Sequence, residues 1–252
     1  MSAVAEGPAL ARGSTAPVPR PGGRDLWLRV ASSVVLAPLA VLAAYLGGAW
    51  FIGFWLIAAA GILWEWMGLV AATRALSGPA RAGWIMLGAC YAGAMLAAPL
   101  VIRADARLGF VAMIFLFAVV WATDVAAYFA GRLVGGPKLW PAISPKKTWS
   151  GAVGGSAAGT AAGLAVAVVG GIEPIAPLVA VAFLLSVIAQ FGDLFESSLK
   201  RRFGVKDASH VIPGHGGVMD RLDGLLAAAL AAALIGLARG GLDGAATGFL
   251  LW

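Results

Sequence analysis

Apolar residues in this chain come in runs of about twenty, the length at which a helix rising 1.5 Å per residue crosses a hydrocarbon core. The runs lie near 27–46, 49–72, 83–102, 108–131, 151–170, 174–199 and 221–239, divided by short polar or glycine-rich breaks. Neither the one-sided stripe of a soluble helix nor the alternation of a half-buried strand runs through them. The pattern predicts an all-α, polytopic transmembrane helix bundle of about seven spans. Only Gly47 and Gly48 divide the first two runs and the second is long, so six to eight spans fit. Residues 1–25 have no apolar period and are rich in Pro, Gly, Ala and Arg. They read as a disordered cytoplasmic tail rather than a cleaved signal peptide, since no small-x-small site closes the first apolar run.

Composition strengthens this picture. Of 252 residues, 61% are hydrophobic and 12% charged, and the mean hydropathy is +0.90. A soluble enzyme, a disordered chain and a disulfide scaffold are excluded. The single cysteine, Cys90, sits in an apolar run and reads as a small buried hydrophobe. The net charge of +6 could suggest nucleic acid, but no basic and aromatic residues interleave on a polar surface, so no nucleic-acid partner is expected. The basic residues flank the apolar runs instead. With the N-terminus inside, only Arg103, Arg107 and Arg239 face outward and the other Lys and Arg residues face inward, a positive-inside bias. This topology predicts a multi-pass protein of the cell (inner) membrane. It puts the two longest polar connections, 132–150 and 200–220, together on the cytoplasmic side.

Those connections and the helices feeding them carry the unusual chemistry. Asp193 and Ser197 are four apart and share a helix face that Lys200 or Arg201 continues. The next loop offers Lys206 and Asp207, then Pro213-Gly214-His215-Gly216-Gly217, then Asp220, Arg221 and Asp223. Glycines around a histidine let backbone N–H groups approach an anion, while Asp220 and Asp223 present oxygens on one face of a helix start. Magnesium takes one or two protein carboxylates and completes its octahedron with water and phosphate, a role that suits Asp193 with Asp220. Zinc fits poorly, because His210 and His215 lack cysteine partners and the H-E-x-x-H spacing. In the other loop, Lys146 and Lys147 precede a helix whose N-cap is Thr148 or Ser150, a place for nucleotide or lipid phosphates and equally for a membrane-surface anchor. Asp124 lies inside the fourth run and needs a partner or polar cavity there. Glu65, in Trp64-Glu65-Trp66, reads either as a functional intramembrane carboxylate or as an interfacial one between belt tryptophans. Gly151, Gly154, Gly155, Gly159 and Gly163 predict close helix packing, within the bundle or between protomers.

With these residues in view, the chain resembles the phosphatidate cytidylyltransferase (CDP-diacylglycerol synthase) family. That family's signature, S-x-hydrophobic-K-R-x4-K-D-x-small-x2-hydrophobic-P/G-x-H-G-G-hydrophobic-x-D-R-hydrophobic-D, is filled from Ser197 through Lys200, Arg201, Lys206, Asp207, Ser209, Ile212, Pro213, His215, Gly216, Gly217, Asp220 and Arg221 to Asp223. Asp124 with Tyr128 and Gly131-Arg132, and the segment Ile143 to Trp149, resemble further family segments. Two positions depart: Asp124-Val125-Ala126-Ala127-Tyr128 stands where the family often has D-T-G-A-Y, and Ser150 where it often has glutamate.

The resemblance implies transfer of CMP from CTP to phosphatidic acid, giving CDP-diacylglycerol and pyrophosphate, with magnesium, alone or with a second cation, and a homodimer amid membrane lipids. It divides the chain into the tail, N-terminal helices over 26–107 and a catalytic membrane region over 108–252. The expected catalytic set is Asp193, Ser197, Lys200, Arg201, Lys206, Asp207, His215, Asp220, Arg221 and Asp223. Asp124, Lys146, Lys147, Lys200, Arg201 and Arg221 are expected to bind substrate, and Asp193 and Asp220 the metal. His215 reads as a hydrogen-bond donor to phosphate or a loop organiser, since a phosphate monoester is already largely ionised near neutral pH and needs no base. A CDP-alcohol phosphatidyltransferase would need D-G-x2-A-R-x8-G-x3-D-x3-D. That pattern fails where Ala228 replaces the arginine. A transporter would show broken helices in repeated halves, and no such repeat is present.

Overall fold

The computed structural model describes residues 23–73, 76–205, 208–209 and 216–252, with side chains from Val34 onward. Each apolar run becomes a helix: α1 (Gly23–Leu46), α2 (Gly48–Ala72), α3 (Gly78–Ala104), α4 (Gly109–Leu133), α5 (Trp149–Val169), α6 (Ile175–Arg202) and α7 (Met219–Gly240). Among the described residues, α2 to α7 are long and apolar enough to cross a membrane, and α1 adds a shorter apolar stretch, Val34–Leu46. α1 starts inside the segment expected to be tail; the rest of that segment, 1–22, lies outside the described residues. A short helix, α8 (Ala245–Leu250), and an antiparallel hairpin of β1 (Lys138–Trp140) and β2 (Ser144–Thr148) complete the fold.

Large apolar side chains lie on both the inside and the outside of the bundle, as a protein solvated by lipid requires. Trp55, Trp66, Phe115, Met95 and Leu178 are buried, while Trp50, Ile57 and Val169 stand on the outer face. Cys90 is exposed on α3 rather than buried. The short connections alternate helix direction. As a result, the ends of α2, α4 and α6 and the starts of α3, α5 and α7 share one end of the bundle.

Glycine decides which helices touch. The largest helix pair is α4 with α5, and the α5 glycines face α4 within the chain. A Cβ at Gly155 would come within 2.8 Å of the Thr123 carbonyl oxygen, and one at Gly163 within 2.7 Å of Val119. Small residues let two backbones approach in a medium where water cannot drive them together. α6 is tied to both helices: the Ser186 hydroxyl pairs with that of Thr123 on α4 at 2.7 Å, and Gln190 Nε2 donates to Ser156 Oγ on α5 at 2.9 Å.

At the opposite end, Asp105 ties the α3–α4 turn to α8. Its Oδ1 accepts the amides of Arg107 (2.9 Å) and Leu108 (3.1 Å), and its Oδ2 accepts that of Thr247 (2.6 Å). Burial would raise its pKa, but the Leu108, Thr247 and Arg107 donors outweigh burial and hold the carboxyl below its usual range. A carboxyl depressed in the fold contributes stability above its unfolded pKa, about 3.9, and loses it as pH falls through the folded value. Thermal unfolding in detergent should therefore show wild-type stability falling below about pH 4, with Asp105→Asn flattening that slope and costing about 1–2 kcal/mol at neutral pH.

Candidate active site

The polar chemistry gathers at the end of the bundle where α6 finishes and α7 begins. Two glycines bring these helices together there. A Cβ at Gly192 would lie 2.6 Å from the Asp223 carbonyl oxygen and 2.7 Å from Ala227 Cβ, and one at Gly224 3.2 Å from the Ala189 carbonyl oxygen. Because α6 and α7 run antiparallel, residues three or four apart on each helix form successive rungs. Asp193 meets Asp223 at one rung, and Glu196 and Lys200 meet Asp220 at the next.

In the first rung Asp193 pairs with Lys147. Asp124 on α4 and Asp223 on α7 both lie in the field of Asp193 and Lys147, and Arg221 acts on Asp124 as well. Ser197 Oγ donates to Asp193 Oδ1 at 3.5 Å. In the second rung Lys200 Nζ lies 2.7 Å from Glu196 and 2.6 Å from Asp220. Asp220 Oδ2 also accepts the amides of Gly217 (2.7 Å) and Ala208 (3.2 Å). These three side chains are 13%, 2% and 7% exposed, so their charges depend on one another rather than on water.

The hairpin supplies Lys147. Strand alternation turns Lys147 inward to Asp193 and leaves Lys146 exposed. Thr148 is the N-cap of α5, accepting the Gly151 amide at 3.1 Å. Ser150 donates instead to the Gly135 carbonyl. Gly131 must be small here, since its Cβ would meet Thr148 Oγ1 at 2.8 Å. Arg201 is exposed, and its Nε reaches the Ile143 carbonyl of the hairpin at 3.5 Å.

Of the expected set, Asp124, Lys147, Asp193, Ser197, Lys200, Asp220, Arg221 and Asp223 come together, while Lys146 and Arg201 lie at the rim. Lys206, Asp207 and His215, with His210, lie outside the described residues. Glu196, absent from the expected set, is a buried member of the site whose Oε1 has no hydrogen-bond partner among the described residues. Its i,i+4 spacing to Lys200 was the only sequence signal.

Glu65 is 2% exposed. It accepts Ser209 Oγ at 2.6 Å, the Val218 amide at 2.7 Å and the Met219 amide at 2.8 Å. Trp66 beside it is buried, with Nε1 donating to the Trp84 carbonyl at 2.8 Å, so it is no interfacial belt residue.

The donor set suits a divalent cation. Among the described residues no three acidic, His or Cys side chains form a metal cage, but magnesium needs only one or two carboxylates. Asp193 and Asp220, each paired with a lysine, are the carboxylates placed to offer oxygens there. A carboxylate has about four lone-pair sites, so Asp193, which accepts from Lys147 and Ser197, keeps capacity for a ligand, while Asp220 accepts from Lys200 and two backbone amides.

The model of the cytidylyltransferase family matches residues 77–237. The chain belongs to the cytidylyltransferase family. The family segment contains both rungs and the hairpin but not Glu65. A protein of Brucella suis named phosphatidate cytidylyltransferase is 51% identical over 163 residues, 61% of this chain and 57% of that protein. Proteins of that name from Staphylococcus saprophyticus (44% over 115 residues, 45% of this chain and 44% of that protein) and Bacillus subtilis (39% over 145, 57% and 54%) are similar too. In each case the match spans less than two thirds of the relative's length. The family expected from the Ser197–Asp223 signature is the family found.

The tight α6–α7 crossing gives this candidate site a simple test. Gly192→Val should force the rungs apart, costing about 1–3 kcal/mol of stability through overpacking. Thermal unfolding in detergent, read beside substrate turnover, should show activity falling further than stability does.

Proposed function

We propose that this protein is a phosphatidate cytidylyltransferase, working at the cytoplasmic face of the inner membrane and, as the family resemblance implies, as a homodimer. The observation that carries this reading is the joining of two ion-paired rungs, Lys147–Asp193 and Glu196–Lys200–Asp220, at one end of a membrane bundle. The names of the relatives supply the substrates, CTP and phosphatidic acid, and the basic residues flanking this end support its cytoplasmic orientation.

In this reaction a phosphate oxygen of phosphatidate attacks the α-phosphorus of CTP. A new P–O bond forms, the bond from that phosphorus to the bridging oxygen breaks, and pyrophosphate leaves with the electron pair. Such transfers are catalysed by positioning and charge neutralisation. Lys147 and Lys200, released in part from Asp193 and Asp220, bind phosphate oxygens, and Arg201 and Arg221 add positive charge at the rim. Ser197 orients a phosphate oxygen, and Asp124 and Asp223 hold Lys147 and Arg221 in place. Asp193 and Asp220 would hold magnesium, which supplies charge neutralisation to the nucleotide phosphates. Lys206, Asp207 and His215 complete the phosphate-binding loop in this reading. An apolar groove of about 1010 Å³ between α5 and α6, lined by Trp149, Val153, Phe183, Phe191 and Leu194, opens beside the charged cluster and suits the acyl chains.

The test is pyrophosphate release from CTP by the purified protein in mild detergent. Turnover is expected to require both phosphatidate and magnesium. A folded, lipid-supplied sample that releases none would overturn the reading.

A further inference from the structure

α7 begins without a capping side chain of its own. Its N-cap is Val218, which makes no side-chain cap, so the first amides of the helix need partners from elsewhere. They find them on α2. Both oxygens of Glu65 are used: Oε1 takes the Val218 amide and the Ser209 hydroxyl, and Oε2 takes the Met219 amide. One buried carboxylate thus grips the site loop on both sides of residues 210–215. The approach is so close that a Cβ at Gly217 would lie 2.6 Å from both Glu65 oxygens. Gly61, one turn earlier on α2, supports the same point, with its Cβ position 3.3 Å from Val218.

The gripped segment sets the geometry of the second rung. Asp220 is the next residue after Met219, and its Oδ2 is fixed by the Gly217 and Ala208 amides, which flank the atoms that Glu65 holds. A carboxylate at a helix N-terminus is also electrostatically favourable, and charge-assisted bonds are the strong ones.

We propose that Glu65, which lies outside the family-matched segment, is a positioning residue for nucleotidyl transfer: it clamps Ser209, Val218 and Met219 to α2 and thereby aims Asp220 at Lys200 and the substrate phosphates. The proposal rests on the cytidylyltransferase reading for what Asp220 does, though not for the clamp itself.

The experiment joins hydrogen exchange over residues 216–219 with pyrophosphate release at varied CTP, on the full chain in mild detergent. Glu65→Gln keeps the shape but turns one acceptor into a donor. Its Val218 and Met219 amides should exchange faster while α4–α6 keep wild-type protection, and kcat should fall about 10- to 100-fold, as for other supporting residues behind a catalytic group, with KM for CTP little changed. Gly217→Ala, approaching from the other side of the contact, should reproduce this pattern. Asp220→Asn should cost less in the Glu65→Gln background than alone, because both act through one carboxylate. Wild-type exchange at 216–219 in both Glu65→Gln and Glu65→Ala, additive effects with Asp220→Asn, or a kcat loss accompanied by uniform loss of protection would each overturn the proposal. A wild-type protein without phosphatidate-dependent turnover would sink the cytidylyltransferase reading and the catalytic role with it. The exchange measurement would then still decide whether the clamp exists.

Discussion

Lys200→Met is expected to give a protein with both a lower unfolding temperature and almost no activity. Lys200 stands between Glu196 and Asp220 at 2.7 and 2.6 Å, and all three side chains are largely buried. Methionine fills the space of the stem but leaves two facing carboxylates with no cation between them. Removing one member of a buried ion-pair set costs about 3–5 kcal/mol, because an uncompensated charge stays behind. Thermal unfolding in detergent reads this directly. Adding Glu196→Gln should return much of the stability by removing one of the stranded charges, but not the turnover. If Lys200→Met unfolds and turns over like wild type, the buried rung is not a unit and Lys200 belongs to the membrane surface.

Asp220→Asn separates catalysis from folding. The amide has nearly the volume of the carboxylate, and its oxygen can still accept the Gly217 or Ala208 amide, so the start of α7 should hold. What disappears is the charge that orients Lys200 and would hold the metal. Loss of one preorganised electrostatic group of this kind typically costs about 10²–10³-fold in kcat. Because Glu196 still faces Lys200, the expected result is a variant whose unfolding temperature falls less than that of Lys200→Met, with pyrophosphate release reduced to that extent. Raising magnesium should restore part of the rate. Wild-type turnover by Asp220→Asn would remove Asp220 from the site.

The helices were legible in the sequence because a membrane permits little else: each apolar run of spanning length had to become a helix, and α1 to α7 follow those runs within a few residues. The hairpin was not legible. Its strands are three and five residues long, β2 contains Pro145, and two lysines stand where an apolar alternation would be sought. The residues of the site could be named from their types and spacing, but their pairing could not. Lys147 and Asp193 lie on different helices or strands, and only the glycine-permitted crossing at Gly192 and Gly224 fixes which rung each acid joins. The α5 glycines announced a close contact, but their partner, α4, followed only from the packing. Glu65 was the hardest to place, because its partners lie 144 to 154 residues away and two of them are backbone amides, which leave no mark in a sequence.

That remote cap has a consequence for building chimaeras. Residues 77–237 look like a portable catalytic module, since they hold every cationic and acidic group of the two rungs. Yet the acceptor for the first turn of α7 comes from a helix before that segment. A hybrid carrying the module behind foreign leading helices would need a carboxylate at the same depth, facing a glycine, to inherit a correctly seated loop.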